Sequence, residues 1–124
     1  MADVETTLDA NAALSRALDI DGATAAMIVD YNSGMSLGSA GSGIDLDVAA
    51  AGNTQVVRAK MDTISELGLE DSIEDMLITL SDAYHVLRPL PGSTLFFYLV
   101  LNRQQANLAM ARYKLTGIVN ELVI

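Results

Sequence analysis

The chain has 124 residues, 51% of them apolar, with a net charge of −9 and no cysteine. That length and composition suit one domain, residues 1–124, with a packed core. The acidic balance excludes nucleic acid and an anionic membrane surface as natural partners, because neutralising phosphate needs clustered Lys and Arg. Without Cys there is no disulfide, thiolate nucleophile or zinc ribbon.

Residues 3–18 read as a first helix. Asp3, Glu5 and Asp9 suit the positive end of the helix dipole, and Val4, Leu8, Ala12, Leu14 and Leu18 supply a stripe. No signal-peptide pattern precedes it, and no apolar run approaches the ~20 residues of a membrane span. A cytoplasmic protein without membrane insertion is expected. The run ATAAMIVD at 23–30 is a strand, followed by the turn residues Tyr31-Asn32-Ser33-Gly34 and a weaker strand, MSLGSAGS, at 35–42. So short a loop makes a hairpin, and Gly38 and Gly41 suit an edge or a bulge.

The longest helix is predicted from Asp45 to about Leu67. Leu46, Ala49, Ala50, Asn53, Val56, Val57, Met61, Ile64 and Leu67 recur at three- and four-residue spacing, and Gly68 follows. On a wheel of ~100° per residue, Val48, Ala51, Gly52, Gln55 and Ala59 gather on the opposite flank. A glycine in a helix interior costs about 1 kcal/mol, and small residues at this spacing let a second helix approach closely.

Three strands then follow, at 75–80, 83–89 and 94–101, separated by Ser81-Asp82 and by Leu90-Pro91-Gly92-Ser93. Both breaks are turn chemistry, and connections this short allow only antiparallel neighbours. The third strand is apolar on both faces, with Leu95, Phe97, Leu99 and Leu101 pointing one way and Phe96, Tyr98 and Val100 the other. It must be covered above and below. Asn102 is predicted as the N-cap of a last helix reaching Leu122, with Gln105 completing a capping box. The whole reads as an α/β (α+β) domain of order α-β-β-α-β-β-β-α, one five-stranded antiparallel sheet with helices on both faces.

No self-contained active site is visible. His85, the single histidine, lies mid-strand with no nucleophile beside it and reads as structural. The pairs Glu70-Asp71 and Glu74-Asp75 lack calcium-loop spacing and read as a solvated acidic rim. The glycine-rich run 34–43 lacks a Lys and is followed by Asp45 and Asp47, which would repel phosphate. No catalytic residue, cofactor or metal is expected.

The segments AAMIVDYNSGMSLGSAG and DMLITLSDAYHVLRPLPGSTLFFYLVL, with the long helix between them, resemble the roadblock / dynein light chain family in its bacterial branch. The resemblance spans residues 4–122 and rests on hydrophobic segments plus Asp30, Gly34 and Arg88-Pro89; Tyr31-Asn32-Ser33 departs from the family's shorter acidic turn. It implies a profilin-like fold and a homodimer in which the middle helix meets its copy and the first meander strand pairs with its counterpart. That adds Met76 and Ile78 to Val48, Ala51, Gly52, Gln55 and Ala59 as the expected dimer interface. It further implies a non-enzymatic adaptor that binds a Ras-like small GTPase, as a scaffold or as an activator of GTP hydrolysis. The expected partner-binding rim is Arg58, Glu66, Glu70, Asp71, Glu74 and Asp75, with Arg58 balanced by Asp62 at i+4. The alternative is a small-molecule-sensing module of PAS or GAF type, which shares the sheet-and-helix plan.

Overall fold

The computed structural model describes residues 7–124. In chain order it holds α1 (Ala10–Leu18), β1 (Ala23–Asp30), β2 (Met35–Gly41), α2 (Leu46–Glu66), β3 (Met76–Thr79), β4 (Ala83–Pro89), β5 (Leu95–Asn102) and α3 (Leu108–Glu121). The strands form one five-stranded sheet of order β2-β1-β5-β4-β3, antiparallel at every pairing.

The doubly apolar β5 takes the central position, with Phe96 to Leu101 all buried. Its alternation divides the interior into two cores. Under α1 and α3 lie Leu14, Ile28, Phe97, Leu99, Leu101 and Leu115, and under α2 lie Met27, Val29, Val57, Leu87, Phe96 and Tyr98. Each such side chain contributes about 1.5–3 kcal/mol on burial, so both layers are needed to satisfy one strand. At the open end of the β1–β2 hairpin Gly41 packs tightly on β1, where its φ is +92° and a Cβ would sit 2.6 Å from Ala25 Cα. Only glycine fits there.

Both terminal helices start later than the sequence suggests. Asp9 is the N-cap of α1, accepting from the Ala12 N–H at 2.8 Å. Leu8 lies ahead of the helix in a parallel bridge to Leu122, its N–H bonded to the Glu121 carbonyl at 2.7 Å. Asp3, Val4 and Glu5 fall outside the described residues. Asn102 does not open α3 but remains in β5 opposite Ala83, its N–H on the Gly22 carbonyl at 2.8 Å and its side chain accepting from the Gln104 N–H at 2.9 Å. The cap is Asn107, which accepts from the Met110 N–H at 3.0 Å. Two asparagines offered the same cap chemistry, and strand pairing decided between them.

The 21-residue α2 follows its prediction, with Asp45 as N-cap. Within its stripe, Ala50 and Val57 are buried, but Val56 and Leu67 are exposed. Thr54, outside the predicted stripe, is buried instead, donating its hydroxyl to the Ala50 carbonyl at 2.7 Å. That bond back along the helix removes the polarity that makes threonine read as surface.

Candidate functional site

The two faces of the sheet are covered unequally. On one, α1 and α3 pack side by side, while on the other α2 alone lies over β1 and β2. The β4 and β3 side of that second face is consequently less covered, and Met76, Ile78 and His85 are half-buried there. A groove of about 300 Å³ follows the boundary, lined by Val48, Ala49, Gly52, Asn53, Val56, His85 and Tyr98 among others. The predicted helix flank borders it: Val48 is 67% exposed, and Ala51, Gly52, Gln55 and Ala59 are exposed as well. A Cβ at Gly52 would meet nothing within 4 Å, so no packing within the chain requires a glycine at this helix position.

Beyond the groove lies the free edge of the sheet. β3 pairs with β4 in unbroken register from Met76↔Leu87 to Thr79↔Tyr84. The run Met76-Leu77-Ile78-Thr79-Leu80 carries no charge and no proline, the two commonest ways of blunting an edge. Leu77 is 37% and Leu80 43% exposed.

His85 forms part of the groove floor. Its Nδ1 lies 3.0 Å from the Tyr98 hydroxyl and its ring meets the phenol edge-on, 83° between planes. The Asn53 side chain reaches the same phenol from α2. With the hydroxyl donating to Nδ1, the neutral imidazole would carry its proton on Nε2. Burial lowers the His85 pKa below its ordinary value, and burial raises that of Tyr98, an effect the Asn53 bond partly offsets. His85 and Tyr98, on neighbouring strands, anchor a polar link between sheet and helix. Sequence reasoning placed Asn53 in an apolar stripe; a lone amide among apolar positions was the available signal.

The predicted rim is only partly one surface. Glu66, Glu70, Asp71 and Glu74 sit at the end of α2 and along the following loop, all exposed and without a basic partner among the described residues. Asp75 is different: its side chain is 9% exposed and takes a bidentate pair of bonds, both 2.8 Å, from Arg112 on α3. Arg58 is exposed on α2, and the expected pair with Asp62 does not form. No helix among the described residues is long and apolar enough to cross a membrane, and none of their His, Asp and Glu side chains form a group of three placed to hold a metal ion.

No family model and no curated protein sequence matches this chain. Solved structures do. A Roadblock/LC7 domain from Streptomyces avermitilis superposes with a TM-score of 0.78 at 16% identity, over 91% of this chain and 93% of that one. MglB from Myxococcus xanthus gives 0.80 at 18% identity over 98% and 94%. The gliding protein MglB from Thermus thermophilus gives 0.70 at 20% identity over 98% and 93%. The fold is that of Roadblock/LC7 domains, which agrees with the profilin-like order expected from the sequence.

Proposed function

We propose that this chain is a non-enzymatic homodimeric adaptor that binds a Ras-like small GTPase in the cytoplasm, as a scaffold or as an activator of GTP hydrolysis. The observation that carries the dimer is Gly52, a helix-interior glycine facing open space beside an apolar groove and a flat, uncharged sheet edge. A second α2 seated in that groove would account for the missing side chain, and β3 pairing with its copy would satisfy the edge. Gly117 in α3 is equally open, but its surroundings include Arg16, Asp19, Lys114 and Glu121 and no sheet edge. An isologous contact uses one patch twice, so it needs nothing from this chain beyond what the groove already presents.

The GTPase half of the proposal rests on the sequence resemblance together with the Roadblock/LC7 fold. The exposed acids Glu66, Glu70, Asp71 and Glu74 would steer a basic partner and make association salt-dependent. The sensing alternative would need an enclosed cavity between sheet and helix, whereas Val57, Leu87, Phe96 and Tyr98 pack the core there and the groove beside them is open at the surface. Sedimentation equilibrium of the parent and of Gly52→Leu tests the dimer: the parent is expected as a dimer and the variant shifted toward monomer. A monomeric parent overturns the dimer. Retention of purified Ras-like GTPases of the host on the immobilised chain, in GTP and GDP forms, tests the partner; no retention in either form overturns it.

A further inference from the structure

At its C-terminus α2 ends in a turn that builds a second groove. The Gly68 N–H bonds the Ser65 carbonyl at 3.0 Å and the Leu69 N–H bonds the Ile64 carbonyl at 3.2 Å, with Gly68 at φ +70°. This is the Schellman arrangement, which brings the residue after the glycine back against the last turn of the helix. Leu69 and Ile64 accordingly line one groove of about 330 Å³ with Met61, Asp71 and Ile73. The pairing does not hide the leucine: Leu69 remains 53% exposed and the adjoining Leu67 65% exposed.

We propose that this groove docks a short segment of a partner protein that carries one or two large apolar side chains flanked by Lys or Arg. The apolar lining calls for a hydrophobic anchor, and the surrounding charge selects what may flank it. From Met61 to Asp75 the chain has Asp62, Glu66, Glu70, Asp71, Glu74 and Asp75 and no Lys or Arg. Only Asp75 of these is neutralised by an ion pair among the described residues. Complementary charge around an apolar anchor gives both encounter rate and specificity. A second copy is the wrong occupant, because it would bring the same acids against these and like charges repel across an interface. The inference takes from the functional proposal only that the rim is a protein-binding surface; it does not require the partner to be a GTPase.

The test uses the full chain and fluorescent peptides of about 12 residues, read by anisotropy near ~0.15 M salt, where only short-range charge effects survive. One peptide has Leu and Lys at helical spacing, the second replaces Lys by Glu, and the third replaces Leu by Ser. The first is expected to bind about tenfold more tightly than either other, since anchor and charge both contribute. Leu69→Ser should weaken it about tenfold, and Asp71→Asn with Glu74→Gln should weaken it severalfold and flatten its salt dependence. Leu37→Ser, an exposed leucine on the distant β2 edge, should leave it unchanged. Circular dichroism checks that each variant is folded, which the exposure of the altered residues favours. Equal binding of the Ser/Lys peptide overturns the proposal, because charge alone then suffices. So does unchanged affinity in Leu69→Ser, or a change of oligomeric state in that variant, which would make a second copy the occupant. No GTPase is present in the assay, so its failure leaves the regulator proposal standing, and a chain that retains no GTPase can still bind the peptide.

Discussion

At the β2 edge of the sheet the strand is bent and self-satisfied. Its register with β1 shifts between Ile28 and Val29, and the Ser36 hydroxyl donates to the Gly38 carbonyl at 3.1 Å while accepting from the Gly38 N–H at 3.2 Å. At the β3 edge the strand runs in unbroken register, with no side chain turned back on its backbone among the bonds it makes. Neither edge carries a charge between Met35 and Gly41 or between Met76 and Leu80. Composition therefore does not distinguish them. A bulge and a hydroxyl blunt one edge, while on the other only the Leu80 carbonyl at the strand's end is taken, by the Arg103 guanidinium at 2.8 Å, so the proposed dimer is placed on the second.

The sharpest way to break that comparison is to put the same lysine on both edges. Leu77 and Leu37 are both exposed leucines, at 37% and 45%. Leu77→Lys should raise the dimer dissociation constant about 100-fold, because one symmetric contact suffers the substitution twice. Leu37→Lys should leave it within about twofold, as surface substitutions away from a contact do. Sedimentation equilibrium measures both, and the reverse order of effects would assign the interface to the wrong edge.

A second comparison concerns glycines of positive φ at the two ends of the same helix connection. Gly41→Ala forces a Cβ onto the Thr24 carbonyl and Ala25, whereas at Gly68 a Cβ meets nothing within 4 Å. Gly41→Ala should thus cost about 3 kcal/mol or more, from strain plus displacement of β1, and Gly68→Ala about 1 kcal/mol from φ alone. Urea unfolding separates them. Equal losses would mean that the β1–β2 hairpin can open to admit a methyl group.

What could be seen in the sequence follows from how local the determining physics is. β4 has its predicted limits, 83–89, and the double apolarity of β5 correctly demanded two covering layers. Alternation and turn chemistry are properties of neighbouring residues and survive without the rest of the fold. The position of α2 over β1 and β2 is not such a property: periodicity says which side of a helix is buried, not which strands it is buried on. The uncovered floor of His85, Met76 and Ile78 was invisible for that reason. Asp75 likewise looked like its acidic neighbours, because its partner Arg112 lies 37 residues away.

That pairing gives the next prediction. Asp75 immediately precedes β3, so its bonds to Arg112 tie the start of the open edge to α3. Arg112 is 44% exposed, which screens the attraction. Asp75→Asn should therefore cost only about 1 kcal/mol of stability. If the bridge also holds the edge straight, the variant should dimerise more weakly than Glu74→Gln, its exposed neighbour. Equal dimerisation of the two would confine the bridge to fold stability.

The smallest expected effect is the pH response of His85, and its sign is fixed by the geometry. The imidazole is half-buried, with Tyr98 against its Nδ1, and burial lowers its pKa from the ordinary value of 6.5. In the unfolded chain the proton binds first as pH falls, so the unfolded state gains more from acid than the folded one. The stability contributed by neutral His85 is present above about pH 6.5 and is lost as pH falls through that value toward the lowered one. Asp45 and Asp82 line the clefts beside His85, and a carboxylate brought close to the ring would oppose this trend by favouring the imidazolium. His85→Gln keeps a hydrogen-bonding side chain but has no proton to bind. At pH 7.5 it should alter stability by no more than an ordinary substitution, about 1 kcal/mol. Between pH 7.5 and 5 the parent should lose melting temperature relative to His85→Gln, with the gap opening on the acid side only. A second α2 seated over the groove would bury the imidazole further, so the parent dimer should loosen over the same interval while the His85→Gln dimer does not. Parallel melting curves for the two proteins would mean that His85 accepts its proton in the folded state as readily as in the unfolded one. In that case the carboxylates, not burial, govern the site.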